Sequence, residues 1–179
     1  LMRIEFAEEE EPVELIDGVV LYLPGGDRIC GTMVKASPAS IEVRSAALGT
    51  LALPIERLLA IEFRRAGQAP KNAARMRQEM LSNKTRNDIS FSANGDQMPG
   101  ILVGFEGDEV ALESDLGKMS LKTSRLFGLS FAAREPKAPP PSLLAVVRCG
   151  DGSVVTGTLL ESKGGALRLA LLAGPTVDI

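Results

Sequence analysis

The sequence predicts an all-β chain, a tandem array of small five-stranded barrels with one short linker helix. Three observations carry this. First, the chain repeats itself: residues 20–63, 89–131 and 146–179 align, with Gly26, Gly95 and Gly152 coinciding, and Gly31, Gly100 and Gly157 likewise. From those glycines to Ile41, Val110 and Leu167 the copies run without a gap, and internal repetition fixes architecture before any single residue does. Second, turn signals recur within each copy between short runs in which apolar residues alternate at period two, the mark of half-buried strands. Third, aromatic residues make up only 4% of the chain, so cores this small must be built from Leu, Val, Ile and Met.

Each copy opens on a strand, Val20 and Tyr22, Ile89 and Phe91, or Val146, and then turns at Gly25-Gly26, Asn94-Gly95 or Asp151-Gly152. Such dipeptides accept the positive φ of hairpin turns that match strand twist. Ile29, Met98 and Val155 follow, then the second glycine, a place for a sharp bend that lets one long strand serve both sides of a small barrel. Val34, Val103 and Leu160 continue that strand, which turns at Ser37-Pro38, Gly107-Asp108 or Gly164-Gly165. The third strand carries Ile41 and Val43, Val110 and Leu112, or Leu167 and Leu169. Gly49, Gly117 and Gly174 mark the next turn, leading to Leu51 and Leu53 or Met119 and Leu121. One-turn crossovers at Pro54 to Arg57 and Lys122 to Arg125 lead to closing strands with Leu58, Ile61 and Phe63, or Leu126, Leu129 and Phe131. Five short strands with one short crossover describe an SH3-like barrel.

The expected organisation is an N-terminal strand and acidic tail (1–12), barrel repeat 1 (13–66), a helical basic linker (67–86), barrel repeat 2 (87–133), a Pro-rich linker (134–142) and a partial repeat 3 (143–179). Residues 71–86 lack Gly and Pro and place Met76, Met80 and Leu81 for one amphipathic face. Pro136 and Pro139 to Pro141 make a stiff spacer. Leu1 to Phe6 resembles the closing strand of repeat 1, with Ile4 and Phe6 matching Ile61 and Phe63. The chain therefore reads as excised from a longer one, and its first strand is expected to complete the third barrel or pair with its edge.

Asn94-Gly95-Asp96, Gly100 and Gly104-Phe105-Glu106 resemble the first motif of the Sm and Sm-like family, and Gly26-Asp27 and Gly31 repeat part of it. The resemblance implies a bent small barrel. The family's RNA-contacting asparagine has no counterpart near Glu109 and Val110, and its second motif is missing, so uridine recognition and ring assembly are not carried over. The tandem arrangement, with Leu53-Pro54 and Ile61-Glu62-Phe63, is also similar to repeats of large bacterial envelope or secreted proteins. That similarity implies a scaffold or interaction role and favours an extracytoplasmic setting.

The chemistry is sparse. The chain has no histidine, which removes the usual general base and triads. Asp27, Asp96, Glu106, Asp108 and Glu109 lie at hairpin tips, where turn chemistry favours acids. No catalytic residue, cofactor or metal site is indicated, and no stretch is apolar enough for a membrane span. Cys30 and Cys149 form no pair motif, and Cys30 reads as a half-buried thiol. Net charge is −3, yet residues 64–86 hold Arg64, Arg65, Lys71, Arg75, Arg77, Lys84 and Arg86 against Glu79 alone. The sequence therefore points to a non-catalytic module for a protein or glycan partner, with homo-oligomer formation open to small cores. The alternative is an Sm-like nucleic-acid binder using Arg64, Arg65, Arg75, Arg77, Lys84 and Arg86.

Overall fold

The computed structural model describes residues 2–3, 17–65, 67, 69–115, 117–133, 144–163 and 166–179. The acidic run Glu8 to Glu11, the Pro-rich linker and the Gly164-Gly165 turn lie outside these. The strands are β1 (Met2–Arg3), β2 (Gly18–Tyr22), β3 (Arg28–Ala36), β4 (Ser40–Ser45), β5 (Gly49–Pro54), β6 (Ala60–Arg64), β7 (Asp88–Ser92), β8 (Gln97–Glu106), β9 (Glu109–Ser114), β10 (Gly117–Lys122), β11 (Leu126–Ser130), β12 (Leu144–Arg148), β13 (Val154–Lys163), β14 (Ala166–Leu171) and β15 (Thr176–Asp178). Among the described residues one α-helix, α1 (Ala73–Leu81), lies between β6 and β7. The protein is predominantly β, and its strands form one open, almost wholly antiparallel sheet.

Within the sheet the pairing order is β5-β4-β3-β2-β6 in the first repeat, β10-β9-β8-β7-β11 in the second and β15-β14-β13-β12 in the third. Among the described residues no ladder joins β5 to β6 or β10 to β11. Single 3-10 turns at Ile55–Arg57 and Thr123–Arg125 bridge those strands instead. Each 3-10 turn is tied back to the second hairpin turn, Ile55 N–H to Ala39 O at 2.9 Å and Thr123 N–H to Asp108 O at 2.7 Å.

The long second strand pairs with one neighbour before its glycine and another after it. A Cβ on Gly31 would lie 2.4 Å from Arg44 O, on Gly157 2.7 Å from Ala170 O, and on Gly100 2.9 Å from Glu113 O. The bend therefore needs glycine for close backbone approach. Alanine at these positions is expected to cost about 1–3 kcal/mol, ranked Gly31→Ala above Gly157→Ala above Gly100→Ala. Urea denaturation of the three variants checks this, and equal costs would sink the steric account.

Three residues past each bend glycine the register slips, between Met33 and Lys35, Leu102 and Gly104, and Leu159 and Glu161. Val34, Val103 and Leu160 are the extra residues of these β-bulges, unpaired by the ladder. They are 47%, 38% and 56% exposed. A period-two reading assigns these apolar residues to the strand without showing that the bulge turns them outward.

The repeats join around local two-fold relationships. Repeats 1 and 2 meet through their closing strands, where Ile61 lies opposite Leu129, its own counterpart. Repeats 1 and 3 meet where Val154 lies opposite Arg28, again its counterpart. Side chains at the second joint are exchanged in the same sense: the Asp27 carboxylate accepts from the Thr156 N–H (2.8 Å) and hydroxyl (2.7 Å), while Ser153 Oγ accepts from the Cys30 N–H (2.9 Å). One core cluster runs through all three repeats, including Leu21, Leu53, Ile61, Leu112, Leu129 and Leu169. β1 pairs with β12 in parallel, Met2 opposite Ala145, whereas β6 and β11 run antiparallel to β2 and β7.

Candidate functional site

Helix α1 sits on the face of the sheet opposite the main core. Alternation sends Ile61 and Phe63 into that core and leaves Ala60 and Glu62 under the helix. Val20, Tyr22, Phe91 and Phe127 join Met76 and Met80 of the helix in a second apolar cluster. Leu81 does not share the methionine face. It lies one position past Met80, a rotation of roughly 100°, and stays exposed.

Two counterpart residues anchor the helix. Ser130 donates its hydroxyl to Met80 O at 2.6 Å. Glu62, its counterpart in repeat 1, has a side chain only 4% exposed and takes the Arg77 guanidinium bidentately, Nε at 2.7 Å and Nη2 at 2.8 Å. Tyr22 donates its hydroxyl to the same carboxylate at 2.6 Å and Arg64 Nε donates at 3.2 Å. Burial alone would raise the Glu62 carboxyl, but the hydrogen bonds from Arg77 and Tyr22 and the charges of Arg64 and Arg77 outweigh it and hold the group below its usual range. Burial, with Glu62 beside it, pushes Tyr22 up to about 12. The Glu62 hydrogen bond is the main cause raising Arg77 above its ordinary value.

Next to this network opens a groove of about 520 Å³ between α1, the closing strand of repeat 1 and the first hairpin turn of repeat 3. Its lining includes Arg28, Arg64, Arg77, Leu59 and Leu81, with Asp27, Cys30 and Asp151. The acids are internally occupied. Asp151 accepts from the Ser45 hydroxyl (2.6 Å) and the Ala47 N–H (3.2 Å), and from the Ser153 N–H (2.9 Å). Asp27 is raised by burial, partly offset by its bonds from Thr156. Cys30 is buried rather than half-buried, because its side chain packs in the apolar cluster under the helix, while its N–H donates to Ser153 Oγ of the third repeat. Burial raises its thiol, and burial with Asp151 and Cys30 nearby pushes Cys149 up to about 11, so neither is an activated nucleophile.

The basic residues of 64–86 differ in their partners and exposure. Arg64 and Arg77 converge on Glu62, and Arg75 pairs with Glu79 at 3.0 Å. Arg65 is half-buried, while Lys84 and Arg86 beyond the helix are exposed. Tyr22, Phe63, Phe91 and Phe131 are all buried, which leaves them no surface for stacking bases. The hairpin-tip acids are dispersed: Asp27 lies in the joint between repeats 1 and 3, Asp96 in the first turn of repeat 2, and Glu106 opposite Glu109 across the next turn. Among the described residues no group of three acids and cysteines could hold a metal ion, and no helix is long and apolar enough to cross a membrane.

Sequence reasoning missed the Tyr22–Glu62–Arg77 network. The available signal was the lone charge between Ile61 and Phe63, out of phase with the apolar alternation and facing whatever covers the other side of the strand. No protein-family model matches the chain, and no curated protein matches it.

Proposed function

We propose that the chain is a non-catalytic scaffold or interaction module, built from repeated small SH3-like, Sm-like barrels, that presents loops and strand edges to a protein or glycan partner within a larger bacterial protein. The barrel reading is supported by the shared pairing order, the bent second strand and the 3-10 turn before each closing strand. The functional reading rests on the use of the charges. Glu62 and Arg77 hold a helix onto the sheet, and Asp27 and Asp151 hold repeats together. Charges committed to structure in this way are not available as acid–base pairs or as a phosphate-binding stripe. Bulge residues Val34, Val103 and Leu160 leave apolar side chains exposed, as do Leu59, Leu81 and Ile101, which gives the module apolar surface to offer a partner.

Lys84 and Arg86, exposed beyond the helix, favour the second reading, an Sm-like nucleic-acid binder. Fluorescence anisotropy with labelled oligo-uridine and duplex DNA, at about 50 and 200 mM salt, separates the two. The interaction-module reading expects no binding at either salt. Micromolar binding that weakens steeply with salt, and is lost in Lys84→Glu/Arg86→Glu, would replace it.

A further inference from the structure

Arg28 and Arg64 bring the groove guanidinium groups whose terminal nitrogens are not taken up by the bonds described. Arg28 Nε donates to Gly152 O at 2.8 Å, a neutral acceptor, and among the described residues Arg28 has no ion pair. Arg64 meets Glu62 through Nε alone, leaving the terminal nitrogens of its fork. Arg77, by contrast, gives its Nε–Nη2 edge to Glu62 in a bidentate pair. Beside these cations stand Leu59 and Leu81, exposed large apolar side chains on the same groove. A guanidinium fork seats a carboxylate or a phosphate equally well by shape. The choice comes from the acids: Asp27, Glu62 and Asp151 lie in or beside the groove. They oppose a dianion or a polyanion, while one carboxylate carried on an apolar segment meets the terminal nitrogens of two guanidinium groups and two leucines. The volume falls within the range of roughly 300–1,000 Å³ that ligand sites span.

We infer that this groove binds an acidic–apolar peptide segment of a protein partner, with an Asp or Glu side chain on Arg28 and Arg64 and neighbouring Leu, Ile, Val or Phe on Leu59 and Leu81. The inference rests on the interaction-module reading and names the class of partner.

A random twelve-residue peptide library displayed on phage, panned on the whole chain, tests it. Synthetic copies of enriched peptides are then titrated by anisotropy against wild type, Arg28→Gln, Arg64→Gln and Leu81→Ser, with Lys118→Gln on β10 as control and thermal melts to confirm folding. The expected result is enrichment of peptides pairing an acid with apolar residues. Their affinity should fall about tenfold or more in either arginine variant, fall in Leu81→Ser and hold in Lys118→Gln. Peptides that bind all variants alike would overturn the groove while leaving an interaction module that uses another surface. Failure to enrich any peptide would overturn the groove too, leaving a glycan partner for the module. Salt-sensitive oligonucleotide binding lost in the arginine variants would remove both the groove and the module reading.

Discussion

Gly128→Ala is expected to destabilise the protein by at least about 3 kcal/mol, lowering Tm by roughly 6–12 °C in a chain of this size. Gly128 lies in β11 opposite Glu62, at the joint between repeats 1 and 2. A Cβ there would sit 2.3 Å from Ile61 O, 2.7 Å from Met80 Cε and 2.9 Å from Met80 Sδ. The methionine can retract, since its side chain is flexible. The carbonyl cannot, because it belongs to β6, which is held on its other edge by β2. The added methyl must therefore separate the closing strands, at the cost of ladder bonds between the repeats. A second variant distinguishes these two neighbours. In a Met80→Ala background, Gly128→Ala should still cost about 2 kcal/mol or more, since the carbonyl remains. If the alanine costs nothing there, the crowding came from the methionine alone and the joint tolerates a side chain.

Nothing in the sequence singles out that glycine. Its counterpart in repeat 1 is Ala60, buried without difficulty, and the difference arises because α1 is a single helix lying over a joint made of two similar halves. Met80 falls over one half only. The same limit explains what was legible elsewhere. The hairpin glycines Gly26, Gly95 and Gly152 take φ of 90°, 98° and 85°, a local requirement that a local motif reveals. The β-bulges at Val34, Val103 and Leu160 insert one residue without changing residue type, and alternation carries no trace of them. Glu62 and Arg77 lie 15 residues apart across an intervening linker. Their pairing depends on where the helix docks, which periodicity does not state. Placing the basic segment required that pairing: residues that look like one cationic stretch are divided between a buried carboxylate, an exposed helix pair and free solvent.

Glu62→Ala is expected to cost about 2–3 kcal/mol, or roughly 4–12 °C in Tm. Breaking a buried pair by deleting one partner leaves the other without compensation, which by itself costs about 3–5 kcal/mol. The figure is lowered here because Arg77 and Arg64 are about one-third exposed, 33% and 32%, and recover some hydration. The Tyr22 hydroxyl recovers less, being buried with Glu62 as its acceptor. Acid should reproduce part of this effect. Because the folded state holds the Glu62 carboxyl below its ordinary value, its contribution is complete above the unfolded carboxyl's pKa and is lost as pH falls through the lowered value. Asp27 has the opposite sign: its raised pKa favours the folded state below the ordinary value, a contribution lost as pH rises through the raised one. Total acid stability therefore mixes the two, and Glu62→Gln isolates one. Urea denaturation from about pH 7 to about pH 3 should show wild type more stable than Glu62→Gln at neutral pH, with the gap closing as acid protonates Glu62. A gap that stays constant across that range would mean that Glu62 acts by shape and not by charge, and that the helix is held by Met76, Met80 and the Ser130 hydroxyl alone.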